Sequence, residues 1–236
     1  MSVYIMFLAV DKPQWITSYD VIRRLKRLFP KKTKIGHSGT LDPMATWLLI
    51  IAVYKDTKRL HEFLGADKSY ETTIDFSKMS DTWDMDYWEK YEEYRVDNNE
   101  ILINDVRKPA PTLDNIQSKL DTLIPSATLP LTPFSAKKKN GKKLYELARA
   151  GVEVNESREM VVNSYEIISY DFPVLKIKLD VGSWTYIRSI GYRLGQEFGL
   201  GGILTRLRRT TIGAVDIKSL TLNQQLEDVI YDEIEM

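Results

Sequence analysis

The chain has 236 residues, 43% of them hydrophobic, with 33 basic against 33 acidic side chains and no cysteine. The length suits one large domain, or one and a half, with a real core, and the missing cysteine excludes disulfides and thiolate metal sites. No apolar run reaches the roughly 18 residues of a membrane span. Met1 to Val10 lacks the basic flank and cleavage site of an export signal, and 2 histidines alone make no structural zinc site, so no metal and a cytoplasmic location are expected.

Tyr4 to Val10 predicts a buried strand, which Pro13 breaks. Thr17 with Asp20 has the spacing of a capping box, and Val21, Ile22, Leu25, Leu28 and Phe29 then recur at helical spacing until Pro30. Leu48 to Val53 predicts a short strand, Lys58 to Leu64 a short helix ended by Gly65, and Tyr70 to Phe76 a strand. Asp84 to Asn104 is acidic and aromatic without a period and reads as an exposed connection. Thr112 to Leu123 predicts a helix, Leu129 to Gly141 an irregular lysine-rich loop, and Leu144 to Ala150 a helix stopped by Gly151. Val174 to Val181 alternates as a strand, and Ile187 to Phe198 predicts a helix stopped at Gly199.

The balanced charge is unevenly spread. Arg23 to Lys34 is basic throughout, Lys137 to Lys143 is nearly all lysine, and Arg206, Arg208 and Arg209 form a third group. The acids gather between Asp81 and Glu100 and in Glu227 to Glu235. Such segregation builds a basic face for nucleic acid in a neutral protein, or simply solvated helix faces and loops.

One stretch carries chemistry: Gly36-His37-Ser38-Gly39-Thr40-Leu41-Asp42-Pro43-Met44-Ala45-Thr46. Pro43 pushes Asp42 out of the helical region, and the glycines permit close approach of a backbone or ligand. A carboxylate held on such a loop serves as nucleophile or general base; an Asx turn is the bland alternative.

This string is similar, almost letter for letter, to the catalytic signature of the TruB family of tRNA pseudouridine synthases. Asp11-Lys12-Pro13-Gln14 with Ile16-Thr17-Ser18 resembles the family's opening motif, and Asp67-Lys68-Ser69-Tyr70 its second. Phe134 to Gly141 with Leu144 to Arg149 resembles the RNA-contacting insertion, and Thr185-Tyr186-Ile187-Arg188 the arginine motif. Leu207-Arg208-Arg209-Thr210 and Ile212-Gly213 close a colinear set spanning Ile5 to Gly213. The resemblance implies an α/β (α+β) fold with a mixed, largely antiparallel sheet, flanking helices and an RNA-binding insertion at about 129–151. The catalytic domain would cover 1–215. It implies isomerisation of uridine 55 in the tRNA T-loop, with tRNA as partner and neither a cofactor, a membrane nor an obligatory protein partner. Asp42 is the implied catalytic aspartate, Tyr70 the platform for the flipped base, and Arg188 the arginine paired with the aspartate. His37 would fill the space left by the base, and Leu207 would line the pocket. Lys12, Lys138 and Tyr186 would contact RNA. A guide-RNA-dependent synthase acting on ribosomal RNA, and a non-catalytic binder of the tRNA elbow, are the alternatives.

The chain also departs from the family. Many members continue into a small RNA-binding PUA domain, whereas about twenty acidic residues follow Gly213 and read as a tail over 216–236 without that domain. The family has glycine where this chain has Trp15, Trp47 and Trp184, and often where it has Trp83. The shared identity of these departures suggests one codon: a source that reads UGA as glycine, translated here as tryptophan. A genuine, degenerate enzyme is the competing reading. Tyr54 also stands where the family usually has glycine, and the codon does not account for it.

Overall fold

The computed structural model describes residues 7–86, 91–135, 137–139, 141–152, 156–220, 222, 224–226 and 229–234. The chain divides into two compact units, Met1–Glu71 with Leu207–Met236, and Thr72–Arg206.

The first unit begins with β1 (Phe7–Lys12), α1 (Ser18–Leu25), β2 (Ile35–His37), β3 (Thr46–Val53) and α2 (Leu60–Leu64), followed by β4 (Lys68–Asp75), whose start lies in this unit. The second unit continues β4 and adds β5 (Lys78–Ser80), β6 (Tyr91–Glu93), β7 (Arg95–Asp97), β8 (Glu100–Ile103), β9 (Val106–Pro109), α3 (Leu113–Asp121) and β10 (Ser126–Pro130). Next come β11 (Lys138–Lys139), β12 (Lys142–Lys143), α4 (Leu144–Arg149), β13 (Ser157–Asp171), β14 (Val174–Val181), α5 (Ile187–Phe198) and the start of β15 (Ile203–Ile212). The end of β15 returns to the first unit, with β16 (Val215–Asp216), β17 (Gln224–Leu226) and β18 (Val229–Ile234).

In the first unit the strand order is β4-β15-β3-β1-β18-β17, with β2 on the free stretch of β3 and β16 on β15. All pairs with printed register here are antiparallel except β15 against β3. β3 is apolar without alternation because both of its faces are covered. Phe7, Ala9, Leu48, Ile50, Ala52, Leu60, Phe63 and Ile212 form one core cluster on one side. Val21, Ile22 and Leu25 of α1 are buried, and Thr17 accepts from Asp20 N while the Asp20 carboxylate accepts from Thr17 N. The helix is shorter than its apolar spacing predicts. It tightens into a 3₁₀ turn at Lys26–Leu28, which leaves Leu28 exposed.

The second unit has the order β10-β13-β14-β4-β15. β13 and β14 form a long antiparallel hairpin with two register shifts. Asp84 to Asn104, expected as an exposed connection without a period, is exposed over β6 and most of β7 but contains strands: β6 pairs with β5, and β7-β8-β9 form a three-stranded meander around the buried Ile101. The lysine loop contains a small hairpin, β11 with β12. The acidic tail is corrected: β18 pairs with β1 along Phe7↔Ile234 to Asp11↔Ile230. Val229 and Tyr231 are buried with exposed Ile230 between them, while Asp232 is half-buried and Glu233 exposed, so the strand is amphipathic. Among the described residues no helix is long and apolar enough to cross a membrane.

Candidate active site

Asp42 sits on the loop between β2 and β3, and the chain fixes that loop from several directions. Gly39 has φ 93, a conformation that favours glycine. Ser38 N donates to Ile50 O at 2.8 Å, and Leu41 N donates to the Ser18 hydroxyl at 2.9 Å. Ala45 N closes a turn onto Asp42 O at 3.0 Å. The carbonyl of Pro43 accepts from Trp15 N at 2.8 Å and from the Lys12 ammonium at 3.1 Å. The loop of residues 13–16 and the Asp42 loop are thus joined through a single carbonyl. Asp42 itself is half-buried.

Two buried cations organise this region. The Lys12 side chain, fully buried, donates to the carbonyls of Pro13 at 2.9 Å, Ile16 at 2.6 Å and Pro43 at 3.1 Å. An ammonium has three donors, and all three are used. Burial pushes its pKa down to about 8, while the nearby charge of Asp42 acts in the opposite direction. Arg209, 2% exposed, donates through Nε to Leu48 O at 2.9 Å and through Nη2 to Gly39 O at 3.3 Å. The registers explain why these groups meet: Lys12 lies opposite Trp47 on one side of β3, and Arg209 opposite Trp47 on the other.

His37, on β2, is half-buried, and burial followed by the charge of Arg209 lowers its pKa below the usual histidine value. Both causes favour its neutral form. Tyr70 and Leu207 are buried on the neighbouring strands β4 and β15, where Ser69 N donates to the Thr211 hydroxyl at 3.1 Å. Lys68, just before Tyr70, donates to the carbonyls of Phe63, Leu64 and Ala66 and so closes the C-terminal end of α2. Burial, then Arg209, pushes it down to about 8.

Arg188 belongs to the second unit, in the first turn of α5. Its guanidinium, 5% exposed, donates to Thr82 O at 2.9 Å, the Thr132 hydroxyl at 3.1 Å and Phe134 O at 3.3 Å. Its Nε lies 3.5 Å from a carboxylate oxygen of Asp84, itself buried. Tyr186 is the residue before α5 and half-buried, with its N–H directed at the Met160 sulfur at 3.4 Å. Lys138 lies on β11, opposite Lys143.

Of the residues expected from sequence, Asp42, His37, Lys12, Tyr70 and Leu207 therefore belong to the first unit, and Arg188, Tyr186 and Lys138 to the second. Lys12, expected at RNA, spends its charge on backbone carbonyls inside the protein. Arg209, expected in a basic group at the surface, is buried. The sequence reading passes over the structural parts played by Arg209, Asp84 and Ser18. A strand reading of 203–212 would have found Arg209, since Leu207 and Arg209 share a buried face.

A family model described as TruB family pseudouridylate synthase (N terminal domain) matches residues 26–187. The chain is 36% identical over 220 residues to the tRNA pseudouridine synthase B of Flavobacterium johnsoniae, covering 90% of each. It is 33% identical over 231 residues to the protein of the same name from Chloroherpeton thalassium, covering 95% of this chain and 90% of that one. Among solved structures it is similar to a chain of an H/ACA ribonucleoprotein bound to a substrate RNA containing 2′-deoxyuridine, with a TM-score of 0.61 and 20% identity. That match covers 89% of this chain and 48% of the solved one, so this chain spans about half of its length and shares its fold. The chain belongs to the TruB family of pseudouridylate synthases.

Proposed function

We propose that the chain isomerises uridine to pseudouridine in tRNA, at position 55 of the T-loop, in the cytoplasm and without an obligatory protein partner. The observation that carries this reading is the loop around Asp42, pinned by Lys12, Trp15 N, Ser18 and Arg209, in a chain 36% identical to a tRNA pseudouridine synthase B over 90% of both lengths.

The reaction breaks the bond from C1′ to N1 and forms one from C1′ to C5; the proton on C5 is lost and N1 takes one up. Reactant and product are isomers, so no group or electron is supplied from outside. The atoms concerned are out of reach while the base is stacked, and the nucleotide must flip out of the T-loop. Asp42 is the carboxylate that acts on the flipped nucleotide as nucleophile or base, and a fixed loop keeps its geometry without reorganisation. Tyr70 is the aromatic platform for the uracil. Arg188 is held by Asp84, Thr82 and Thr132, which give its buried guanidinium charge-assisted bonds. Lys26, Arg27, Lys31 and Lys32 are exposed, and lysine and arginine contacts to phosphates add affinity without reading sequence.

Asp42→Asn tests the reading directly. The side chains are close in shape, but an amide is neither nucleophile nor base. Pseudouridine formation on T-arm RNA should fall by roughly a thousandfold or more, with RNA binding nearly intact. Activity within tenfold of the parent would remove Asp42 from the chemistry.

A further inference from the structure

All four described tryptophans have a left-handed backbone: φ is 70 at Trp15, 79 at Trp47, 61 at Trp83 and 68 at Trp184. Trp88 lies outside the described residues. At such φ an L residue presses its Cβ against its own backbone, a penalty that glycine escapes. Only a few per cent of non-glycine residues have positive φ, so four tryptophans out of four by chance is on the order of one in a million. The other non-glycine residues in this region are Asn98, Asn99, Asn104 and Asp105, which tolerate it, and Tyr54.

The surroundings do not explain a preference for indole. Trp15 is 41% and Trp184 57% exposed, so neither gains the burial that would offset the strain. Hydrogen bonds through the backbone fix the turns: Trp15 N donates to Pro43 O at 2.8 Å, and Trp83 O accepts from Leu204 N at 3.1 Å. Trp47 and Trp83 do make ring contacts, with Arg208 at 3.3 Å from the ring centroid and with Tyr192 stacked at 4.0 Å. These differ from each other and from the exposed pair, so the shared property is the backbone alone.

We infer that positions 15, 47, 83 and 184 are glycine in the protein as its own cell makes it, UGA being read there as glycine and written here as tryptophan. Single-base changes from glycine codons reach alanine, serine, arginine, aspartate, glutamate, valine and cysteine as well as tryptophan. Independent mutations would scatter over these types, whereas one codon read two ways yields a single type at every site. The consequence for the site is concrete. The turn at 15 that holds Pro43 loses its strain, and at 47 the indole between Asp11 and Arg208 disappears, leaving those two charges to face each other.

Two measurements test this. Peptide mass spectrometry of the protein from its own source should give glycine at all four positions; tryptophan at any of them overturns the inference. The second measurement needs no RNA and so stands or falls apart from the proposed activity. Trp15→Gly and Trp184→Gly should each raise the folding equilibrium constant roughly five- to tenfold relative to Trp15→Ala and Trp184→Ala, because alanine keeps the Cβ that left-handed φ opposes. Alanine variants as stable as the glycine variants would overturn it.

Discussion

The two turns of the β7-β8-β9 meander and the four tryptophan turns share one backbone conformation and differ in what occupies it. Asn98 and Asn99 have φ 50 and 58, and Asn104 and Asp105 have φ 48 and 62, as two-residue hairpin loops of the primed type require. Asparagine and aspartate accept that region because their short side chains bond locally. At positions 15, 47, 83 and 184 the same φ is carried by the bulkiest side chain. In the meander, local sequence and local backbone agree. Around Asp42 the conformation is imposed from elsewhere, by the bond from Trp15 N to Pro43 O and by the buried ammonium of Lys12. Glycine at these positions would restore agreement between the two levels.

The largest way to break this contrast is to remove what imposes the site's conformation. Arg209→Met keeps much of the side-chain volume but leaves Leu48 O and Gly39 O without their charged donor. The expected loss of stability is about 3 kcal/mol, since bonds to charged groups are worth more than neutral ones and an orphaned buried carbonyl is costly. Urea unfolding measures it. A loss under about 1 kcal/mol would mean that the Asp42 loop supports itself as the hairpins do, and the contrast would collapse.

A smaller effect comes from moving tryptophan into the meander. Asn104 is exposed and left-handed, so Asn104→Trp isolates the backbone penalty from burial. The expected cost is about 2 kcal/mol, against about 0.5 kcal/mol or less in either direction for Asn104→Gly. Thermal unfolding of the pair decides it. A tolerated Asn104→Trp would show that left-handed tryptophan is no burden in this chain, and the tryptophan turns would need no special explanation.

How far the sequence reveals all this depends on where the charges fall. β14 is predicted to the residue, as are the Thr17–Asp20 capping box and the stop of α5 at Gly199, with φ 65. Each has a strong local signal: strict alternation, a paired cap, a left-handed glycine. β13 escapes because it is mostly exposed on both faces and shifted in register twice, which leaves no apolar period to find. β15 and β18 escape because arginines in one and acids in the other mask a real alternation of buried positions. The site follows the same rule. Asp42, Tyr70 and Arg188 are marked by colinear motifs, whereas Arg209 and Asp84 are buried charges that sequence alone assigns to solvent. Lys12 shows the limit most clearly: its motif is legible, but its work on three backbone carbonyls is not.

The smallest effect separates the two regions by pH. Lys12 and Lys68 are both pushed from the ordinary 10.5 down to about 8, chiefly by burial. In the window between about 8 and 10.5 the folded protein has released protons that the unfolded chain still holds. Stability from these groups is therefore fully present above 10.5, rises as pH climbs through this window and is lost as pH falls through about 8. The meander differs: its ion pair of Arg107 with Glu100 is exposed, so solvent screens it and its contribution is small. Tyr165 and Tyr170, pushed up to about 12 by burial, remain protonated there in the folded state and are common to parent and variant. Urea midpoints at pH 7.5 and 8.5, for the parent and for Lys12→Met with Lys68→Met, should show the parent gaining on the order of 1 kcal/mol relative to the variant. A pH-independent difference would mean that the two ammonium groups are well solvated, and that the loop around Asp42 is held by ordinary turn chemistry after all.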